Sequence, residues 1–428
     1  MRKRKLKLLL ILFVFCLLFI LGACQSDNKA STSDDNDSTT ITLWHIATAG
    51  QKETLENAVA RFEEKHEGVH VELVQQENDP YKTKLSVAMG GGTPPDVFHS
   101  WGGGWLEKFV EAGQVKEITE EIDAENYLEA GLAVSTFDDK VYGAPLGMSL
   151  VPVWYNKQIF QEYNLAVPET YDELLTVIET LKSNDIIPFA LANQSKWPGA
   201  FYLMYFAERI GGPDLFNEAY KRDGRGFDDQ AYVEAGQKIQ DLVEMGAFPD
   251  GVNGMNYDTG QSRQLIYSEK AAMITQVTSF LDNTRKDAPG FEEKLGFFPF
   301  PSIEGGKGDK SHLVGGVSPT FSVSEKSKHP DLATELVKEL TSIESGQDLV
   351  DLAGGIAAIK NVTYEDEFSA EMYKLLNEAE YLQTFYDQTL PPEVATEHLD
   401  TTQALFGLTI TPEEAAKKVE ASAKEALK

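Results

Sequence analysis

Apolar and polar positions in the first part of the chain follow strand and helix periods in turn. Short apolar or alternating runs, typical of strands, are ITLWHI (41–46), VHVELVQQ (69–76) and PDVFHSW (95–101). Helical spacing of apolar residues is found in ETLENAVARFEEKH (53–66), from Pro80 to Met89, and from Trp105 onward. Strands that alternate with helices predict a parallel sheet in an α/β domain.

The middle and the end of the chain show a different order of elements. Extended structure is predicted at 141–156, helices at 171–181, 197–210 and 230–245, and strands at 271–280, 296–301 and 314–324. The last helix is well marked, because Thr411 can cap it, Pro412 suits its first turn and Glu414 completes a capping box. A chain of 428 residues is expected to form two domains or one two-lobed unit.

The N-terminus has the pattern of a secretion signal. Basic residues in MRKRKLK precede an apolar segment from Leu8 to Leu21, which is short for a membrane span of roughly 20 residues. The segment Leu21-Gly22-Ala23-Cys24 resembles the bacterial lipobox, whose cysteine receives a lipid. An uncleaved anchor with a chance cysteine is the alternative. We expect a signal peptide at 1–23, and a lipidated Cys24 followed by a disordered tether over 24–40.

The net charge indicates which ligands the protein favours, and the cysteine content indicates whether it has a disulfide bond. The formal net charge of −30 makes the surface repel nucleic acid and anionic lipid, so neutral or cationic ligands are favoured. We find no basic patch with interleaved aromatic residues and therefore expect no nucleic-acid site. Because Cys16 lies in the signal segment, the mature chain would keep only Cys24 and no disulfide.

Motifs of catalysis are weak in this sequence. The segment His66-Glu67-Gly68-Val69-His70 matches H-E-x-x-H, which binds zinc only when both histidines share a helix face. Gly68 predicts a helix stop and VHVELV a strand, so we expect the two histidines on different elements and no metal or cofactor. Neither GxxxxGK nor GxSxG is present. A glycosidase carboxylate pair stays open, because the 68 acidic residues allow many pairs.

Several stretches together resemble the extracellular sugar-binding lipoproteins of Gram-positive carbohydrate ABC importers, the solute-binding proteins of the multiple-sugar and oligosaccharide type. The matching stretches are LGAC, ITLWHI, GGTPPDVFHSWGGGW, YGAPLGMSLVPVWYNKQIF, VPETYDEL, EKAAMITQVTSF, YDQTLPPE and QALFGLTITPEEAAKK. One departure is Thr278-Ser279-Phe280, which stands where that family commonly has Gly, a small polar residue and Trp.

The resemblance implies a two-lobed α/β fold of the periplasmic-binding-protein-like type II, with hinge segments and a ligand cleft. The expected parts are 41–150 for the N-terminal lobe, 151–315 for the second lobe with hinge crossings, and 316–428 for the hinge return and helix-rich end. It also implies a monomeric, non-enzymatic receptor anchored through Cys24 at the extracellular face of the membrane. Its partners would be an oligosaccharide, ABC permease subunits and, indirectly, a cytoplasmic ATPase. A surface carbohydrate hydrolase and a receptor for another solute are the alternatives.

A sugar site needs flat aromatic faces for the C–H patches of the ring and polar groups for its hydroxyls. The loop PPDVFHSWGGGW (94–105) supplies both and follows a strand, where open α/β sheets bind ligands. Its glycines 102–104 are expected to let a ligand approach the backbone. The candidate sugar-binding residues are Trp44, His45, Asp96, His99, Trp101, Trp105, Gln194, Lys196, Trp197, Gln276, Phe280, Gly316 and Asp387. Core packing is an equal alternative for Trp44 and Trp105, and Asp96 could instead cap a turn.

Overall fold

The structure is a computed structural model that describes residues 39–427. The predicted signal peptide and Cys24 lie outside the described residues. The strands are β1 Thr39–His45, β2 Val69–Gln75, β3 Val97–Ser100, β4 Thr136–Phe137, β5 Lys140–Val141, β6 Ala144–Pro145, β7 Gly147–Leu150, β8 Val153–Asn156, β9 Ile187–Phe189, β10 Ala271–Thr275, β11 Leu295–Phe298, β12 His312–Val317, β13 Thr320–Val323, β14 Ile356–Ala357 and β15 Tyr381–Thr384.

Helices are more numerous than strands in the described chain. The α-helices are α1 Ala49–Lys65, α2 Asn78–Gly91, α3 Gly103–Glu111, α4 Glu129–Ala133, α5 Lys157–Glu162, α6 Tyr171–Ser183, α7 Trp197–Gly211, α8 Asp214–Lys221, α9 Gln230–Glu244, α10 Gln261–Tyr267, α11 Ser279–Asp287, α12 Pro330–Leu340, α13 Ile343–Ala353, α14 Glu367–Glu378, α15 Tyr386–Thr389, α16 Pro392–Phe406 and α17 Pro412–Ala426. Short 3₁₀ turns lie at Ala124–Asn126, Val252–Gly254 and Phe291–Lys294. None of the helices in residues 39–427 is both long and apolar enough to cross a membrane.

A five-stranded sheet in the order β2-β1-β3-β13-β6 forms the centre of the first lobe. Strand β1 pairs in parallel with both β2 and β3, as the alternating pattern predicts for strands that are separated by helices. Strand β13, which comes from much later in the chain, pairs antiparallel to β3. The sheet is therefore mixed, since the late strand returns in the opposite direction.

The second lobe is built on the four-stranded sheet β11-β8-β10-β9 and on a large helical core. Helix α7 is the centre of that core, because almost every residue from Pro198 to Gly211 is buried. Its sequence is apolar on all sides, which is the pattern of a helix surrounded by protein. Helices α9 and α16 pack beside it and cover its apolar surface, and α17 packs on these two helices.

Two strands carry the chain between the lobes, and they pair with each other. Strand β7 links β6 of the first sheet to β8 of the second, and β12 leads back from β11 to β13. Strands β7 and β12 run antiparallel, with Gly316 opposite Ser149. Strands β14 and β15 complete this third sheet in the order β14-β7-β12-β15. The lobes are thus joined by a small sheet of crossing segments.

Most predicted elements are present, with some changes at their ends. The capping box of the last helix is confirmed, because Thr411 and Glu414 exchange side-chain to backbone hydrogen bonds. The predicted strand 271–280 is wrong in its second half, since β10 ends at Thr275 and α11 starts at Ser279. The apolar residues there pack as one buried helix face, and a short apolar run does not distinguish that face from a strand.

Candidate functional site

A cavity of 770 Å³ opens between the two lobes. Its walls come from the ends of β2 and β3 and from α2 in the first lobe, and from the starts of α7, α11 and α15 in the second. The carboxyl ends of parallel strands and the starts of helices are the usual places for ligand-binding residues in α/β proteins. Aromatic lining residues are His99, Trp101, Trp197, Phe201, Tyr257 and Phe385, and charged ones are Glu77, Asp79, Lys82, Lys196, Asp258, Arg263, Asp387 and Asp400.

The first-lobe wall contains Trp101, held on three sides by other aromatic rings. Trp101 is 7% exposed and makes edge-to-face contacts with Tyr81, His99 and Trp105, at ring-centroid distances of 5.8, 4.8 and 5.8 Å. The Nζ atom of Lys82 lies 4.8 Å from its ring centroid. The surrounding rings fix the orientation of the indole, so the part of it that faces the cavity is a rigid platform.

His99 lies next to Trp101 on the same wall. Burial lowers the pKa of His99 to about 3, and the neighbouring His45 and Lys82 add to this effect. The imidazole is therefore neutral at physiological pH. A neutral imidazole offers one donor and one acceptor, which suits a ligand hydroxyl better than a charged ligand group.

The second-lobe wall is built from the turn before α7. Gln194, Lys196 and Trp197 all line the cavity, and Lys196 forms an ion pair with Asp400. The Trp197 ring packs edge-to-face on Tyr257, with ring centroids 4.5 Å apart. These aromatic and polar side chains line the same cavity as Trp101 but come from the other lobe, so a ligand that fills the cavity would contact both lobes.

Polar contacts already join the lobes around the cavity. The backbone N–H of Asp79 donates to Asp258 Oδ2 over 3.2 Å, and the Ser195 hydroxyl donates to the Asp79 carboxylate. Lys82 Nζ donates to Asp387 Oδ2 over 3.2 Å. Burial raises the pKa of Asp258, and the nearby Asp79 carboxylate raises it further. The structure therefore shows a closed arrangement, with these contacts across the cleft.

A further contact between distant segments lies at the N-terminus of α1. The backbone N–H groups of Gly50 and Gln51 donate to the two carboxylate oxygens of Asp282, at 2.9 and 3.3 Å. Asp282 is 3% exposed, and its burial raises its pKa to about 6. This carboxyl group from α11 fills the role of a helix cap, since Thr48 makes no side-chain cap. The contact ties the first helix of one lobe to the helix that lies between β10 and β11 of the second sheet.

Six of the thirteen candidate residues line the cavity. They are His99, Trp101, Gln194, Lys196, Trp197 and Asp387. The structure thus brings together residues that lie almost 300 positions apart in the sequence.

The candidates from the first lobe that lie outside the cavity wall have structural contacts. Trp44 packs beside the cluster around Tyr81, and His45 is completely buried in β1. Asp96 accepts hydrogen bonds from the backbone and hydroxyl of Thr42 in β1 and from the Ser327 hydroxyl, which ties the start of β3 to its neighbours and is not a turn cap. Trp105 is 8% exposed and packs against Trp101 and Phe109. These residues support the wall from behind.

The other three candidates outside the wall lie near the crossing sheet. Gln276 is buried and accepts the backbone N–H of Val277, while Phe280 is completely buried against Trp154. A Cβ atom on Gly316 would lie 2.6 Å from the Phe385 ring, so this glycine serves close packing. We leave all seven residues out of the candidate site.

The glycine run after Trp101 contacts protein rather than the cavity. A Cβ atom on Gly103 would lie 2.3 Å from the backbone oxygen of Gln388, and one on Gly104 would lie 2.7 Å from that of Thr389. The expectation that these glycines make room for a ligand is therefore not met, because α15 of the second lobe occupies that space. The glycines allow the two lobes to approach at this point.

The segment 66–70 does not form the zinc-protease arrangement. His66 follows the end of α1, where its Nδ1 atom lies 2.9 Å from the carbonyl oxygen of Phe62. His70 lies in β2 and contacts Glu63 at 3.0 Å. The turn between them has Gly68 at a φ of 80°. The prediction that the two histidines belong to different elements is confirmed.

Several cavity residues were missed by the sequence reasoning. Asp79 and Lys82 lie in NDPYKTK, directly after β2, and the position at a strand end could have identified them. Tyr257, Asp258 and Arg263 come from an irregular segment before and within α10, where no local pattern indicates a binding role.

Comparisons with known proteins place the chain in a family. Residues 48–347 match the family of bacterial extracellular solute-binding proteins. A multiple sugar-binding protein of Streptococcus mutans is 27% identical over 353 residues, covering 80% of each chain. The melibiose/raffinose/stachyose-binding protein MelE of Bacillus subtilis is 22% identical over 415 residues, covering 96% of this chain and 94% of MelE.

A solved structure shows the same architecture. It comes from a study of xylan utilization by the thermophilic bacterium Caldanaerobius polysaccharolyticus, with a TM-score of 0.84 and 30% identity. The match covers 89% of this chain and 99% of that one. The two-lobed α/β fold and the family resemblance predicted from the sequence are confirmed. With its interlobe cavity, crossing sheet and match over residues 48–347, this chain belongs to the bacterial extracellular solute-binding proteins.

Proposed function

We propose that this protein is the sugar receptor of an ABC importer and that it holds a neutral oligosaccharide in the cavity between its lobes. The observation that carries the proposal is a cavity between the lobes that is lined by one tryptophan from each lobe, Trp101 and Trp197, together with polar side chains. The names of the Streptococcus mutans and Bacillus subtilis relatives, both sugar-binding proteins, support it.

The chemistry of the lining suits a sugar. Indole faces take the C–H patches of a pyranose, and the side chains of His99, Gln194 and Asp387 offer hydrogen bonds to hydroxyls. The cavity volume of 770 Å³ lies within the range of about 300–1,000 Å³ that encloses a drug-sized ligand. A short oligosaccharide therefore fits better than a single ring.

The charges of the lining favour a neutral sugar over an acidic one. The three lining cations, Lys82, Lys196 and Arg263, are each paired with an acid of the described chain. Glu77, Asp79 and Asp258 add further negative charge to the same cavity. A uronic acid would have to approach these carboxylates without a free cation to receive it, so its binding is disfavoured.

The small sheet β14-β7-β12-β15, which joins the lobes, indicates how the ligand is captured and released. We place the hinge at the paired strands β7 and β12, which lie between the two lobe sheets. Opening about these strands would separate Lys82 from Asp387 and admit the ligand. In the proposed transport cycle, the closed monomer is anchored through Cys24 outside the cell and docks on the permease subunits, while a cytoplasmic ATPase supplies the energy.

The test is a thermal-shift screen of the full chain purified in detergent, confirmed by calorimetry. The panel contains xylo-, arabino-, malto-, manno- and raffinose-type oligosaccharides, with oligogalacturonate as the acidic control. A ligand at about 100 times its dissociation constant stabilises the folded state by roughly 2.7 kcal/mol. We expect such a shift with one neutral series, and the sugar should be recovered unchanged. Binding of the acidic series alone, or hydrolysis of the sugar, would contradict the proposal.

A further inference from the structure

A second group of polar side chains lies away from the sugar cavity, where the chain enters β12 and β15. Asp309 and His312 come from the turn before β12 and from its first residue, and Glu380 directly precedes β15. One ring nitrogen of His312 and one carboxylate oxygen from each acid lie within 4.8 Å of one another. Because β12 and β15 pair in parallel with His312 opposite Tyr381, the sheet itself brings these residues together.

The orientation of His312 is fixed from the inside of the protein. Its Nδ1 atom hydrogen-bonds to the carboxylate of Glu208, which is 2% exposed and is also paired with Arg209. The guanidinium of Arg209 donates to the backbone oxygen of His312 over 2.9 Å. His312 is only 9% exposed, and its other nitrogen, Nε2, has no hydrogen-bond partner within residues 39–427. A carboxylate that holds Nδ1 and leaves Nε2 available is the arrangement found behind metal-binding histidines.

The two acids of the group are also available to a ligand. Ser311 donates its backbone N–H and its hydroxyl to one oxygen of Asp309, at 2.6 and 2.7 Å, and leaves the second oxygen unused. The carboxylate of Glu380 makes no hydrogen bond or ion pair with the described part of the chain. Lys310 does not neutralise the group, because its ammonium contacts Glu169 at 2.9 Å.

We propose that Asp309, His312 and Glu380 bind one divalent metal ion of the zinc type, with water as the fourth ligand. One imidazole and two carboxylates match the nitrogen and oxygen ligands of zinc, whereas calcium and magnesium prefer oxygen alone. Tetrahedral ligands at about 2.0–2.1 Å from zinc lie roughly 3.3 Å apart, so the group must contract slightly. Both acids are exposed and can rotate to do so, while the buried His312 stays in place.

The proposed ion would join the starts of two neighbouring strands. Strand β15 leads directly into α15, which carries Asp387 and Gln388 of the cavity wall. A metal ion that links the starts of β12 and β15 would hold β15 in position without entering the cavity. The site is therefore structural, and its binding can be measured without any sugar.

The test uses the full chain with any polyhistidine tag removed, dialysed first against a chelator and then titrated with zinc chloride by calorimetry. The expected result is one zinc ion per chain, with binding weakened about tenfold or more in Asp309→Asn and in Glu380→Gln. Glu304→Gln is the matched control, because it removes an exposed acid of the same loop outside the group. It should bind zinc as the parent does.

A second measurement protects the test from misfolded variants. Thermal unfolding without metal should be the same for the parent and for all three variants, since each change is on the surface. Added zinc should then raise the unfolding temperature of the parent and of Glu304→Gln only. The proposal would be overturned if zinc does not bind, if calcium binds in its place, or if Glu304→Gln weakens binding as much as the other two.

Discussion

Lys82 and Asp387 form a bridge across the cleft, and we predict that its loss weakens ligand binding. The two groups are 3.2 Å apart, with side chains 34% and 11% exposed. At this distance an effective dielectric of about 20 gives roughly 5 kcal/mol of attraction, most of which the desolvation of Asp387 offsets. A net value of about 1.5–3 kcal/mol is usual for a hydrogen bond to a charged group. Because the bond joins the lobes, Lys82→Met should reduce ligand affinity by about 10- to 150-fold.

The assay is a calorimetric titration of the parent, Lys82→Met, Asp387→Asn and the double variant with the sugar that binds best. The double variant should bind hardly more weakly than either single variant, since both changes remove the same bond. Lys84→Met is the control, because Lys84 lies on the same helix but bonds Gln76 within its own lobe. Parent-like affinity in Lys82→Met, or losses that simply add in the double variant, would refute the reasoning.

Three further predictions concern the wall and the hinge. Trp101→Ala should abolish sugar binding and cost about 3–5 kcal/mol of unfolding free energy, whereas Trp101→Phe should keep most of the stability in chemical denaturation. Sugar binding as tight in Trp101→Ala as in the parent would contradict the proposal that the Trp101 indole holds a sugar ring. The folded pKa of Asp282, about 6, lies above its unfolded value of about 3.8. Its stabilising effect of up to about 3 kcal/mol is therefore complete only below the unfolded pKa of about 3.8 and is lost as the pH rises through 6. Asp282→Asn should flatten this part of the stability curve, and an unchanged slope would contradict the assignment. Gly316→Ala should lower stability by about 1–3 kcal/mol through its clash with Phe385, while Gly90→Ala, which has open space, should not; equal thermal unfolding temperatures would disprove the clash.

The local pattern of apolar and polar residues was enough to predict most helices and strands, but not which strands pair with each other. The capping box at Thr411 and the helix stop at Gly68 depend only on neighbouring residues, and both appear as expected. The pairing of β13 with β3 joins segments more than 200 residues apart, and no local period contains that information. The same limit explains Phe280, whose apolar neighbours fit a strand or a buried helix equally well.

The candidate site could also be predicted only where local sequence marks its residues. Residues of the loop around Trp101 could be predicted because a strand end and an unusual composition coincide there. The sequence did not distinguish Trp101 on the wall from Trp105 behind it, since both indoles are almost buried and only the path of α3 separates their roles. Tyr257 reaches the cavity through an irregular segment, and its position depends on the packing of Trp197.

The most direct test of the receptor account is a crystal structure of the protein with the oligosaccharide that gives the largest thermal shift. The account predicts sugar rings in the interlobe cavity, with one ring on Trp101, a contact to Trp197, and Lys82 still bonded to Asp387. A sugar bound elsewhere on the surface, with the cavity unchanged, would contradict the central claim.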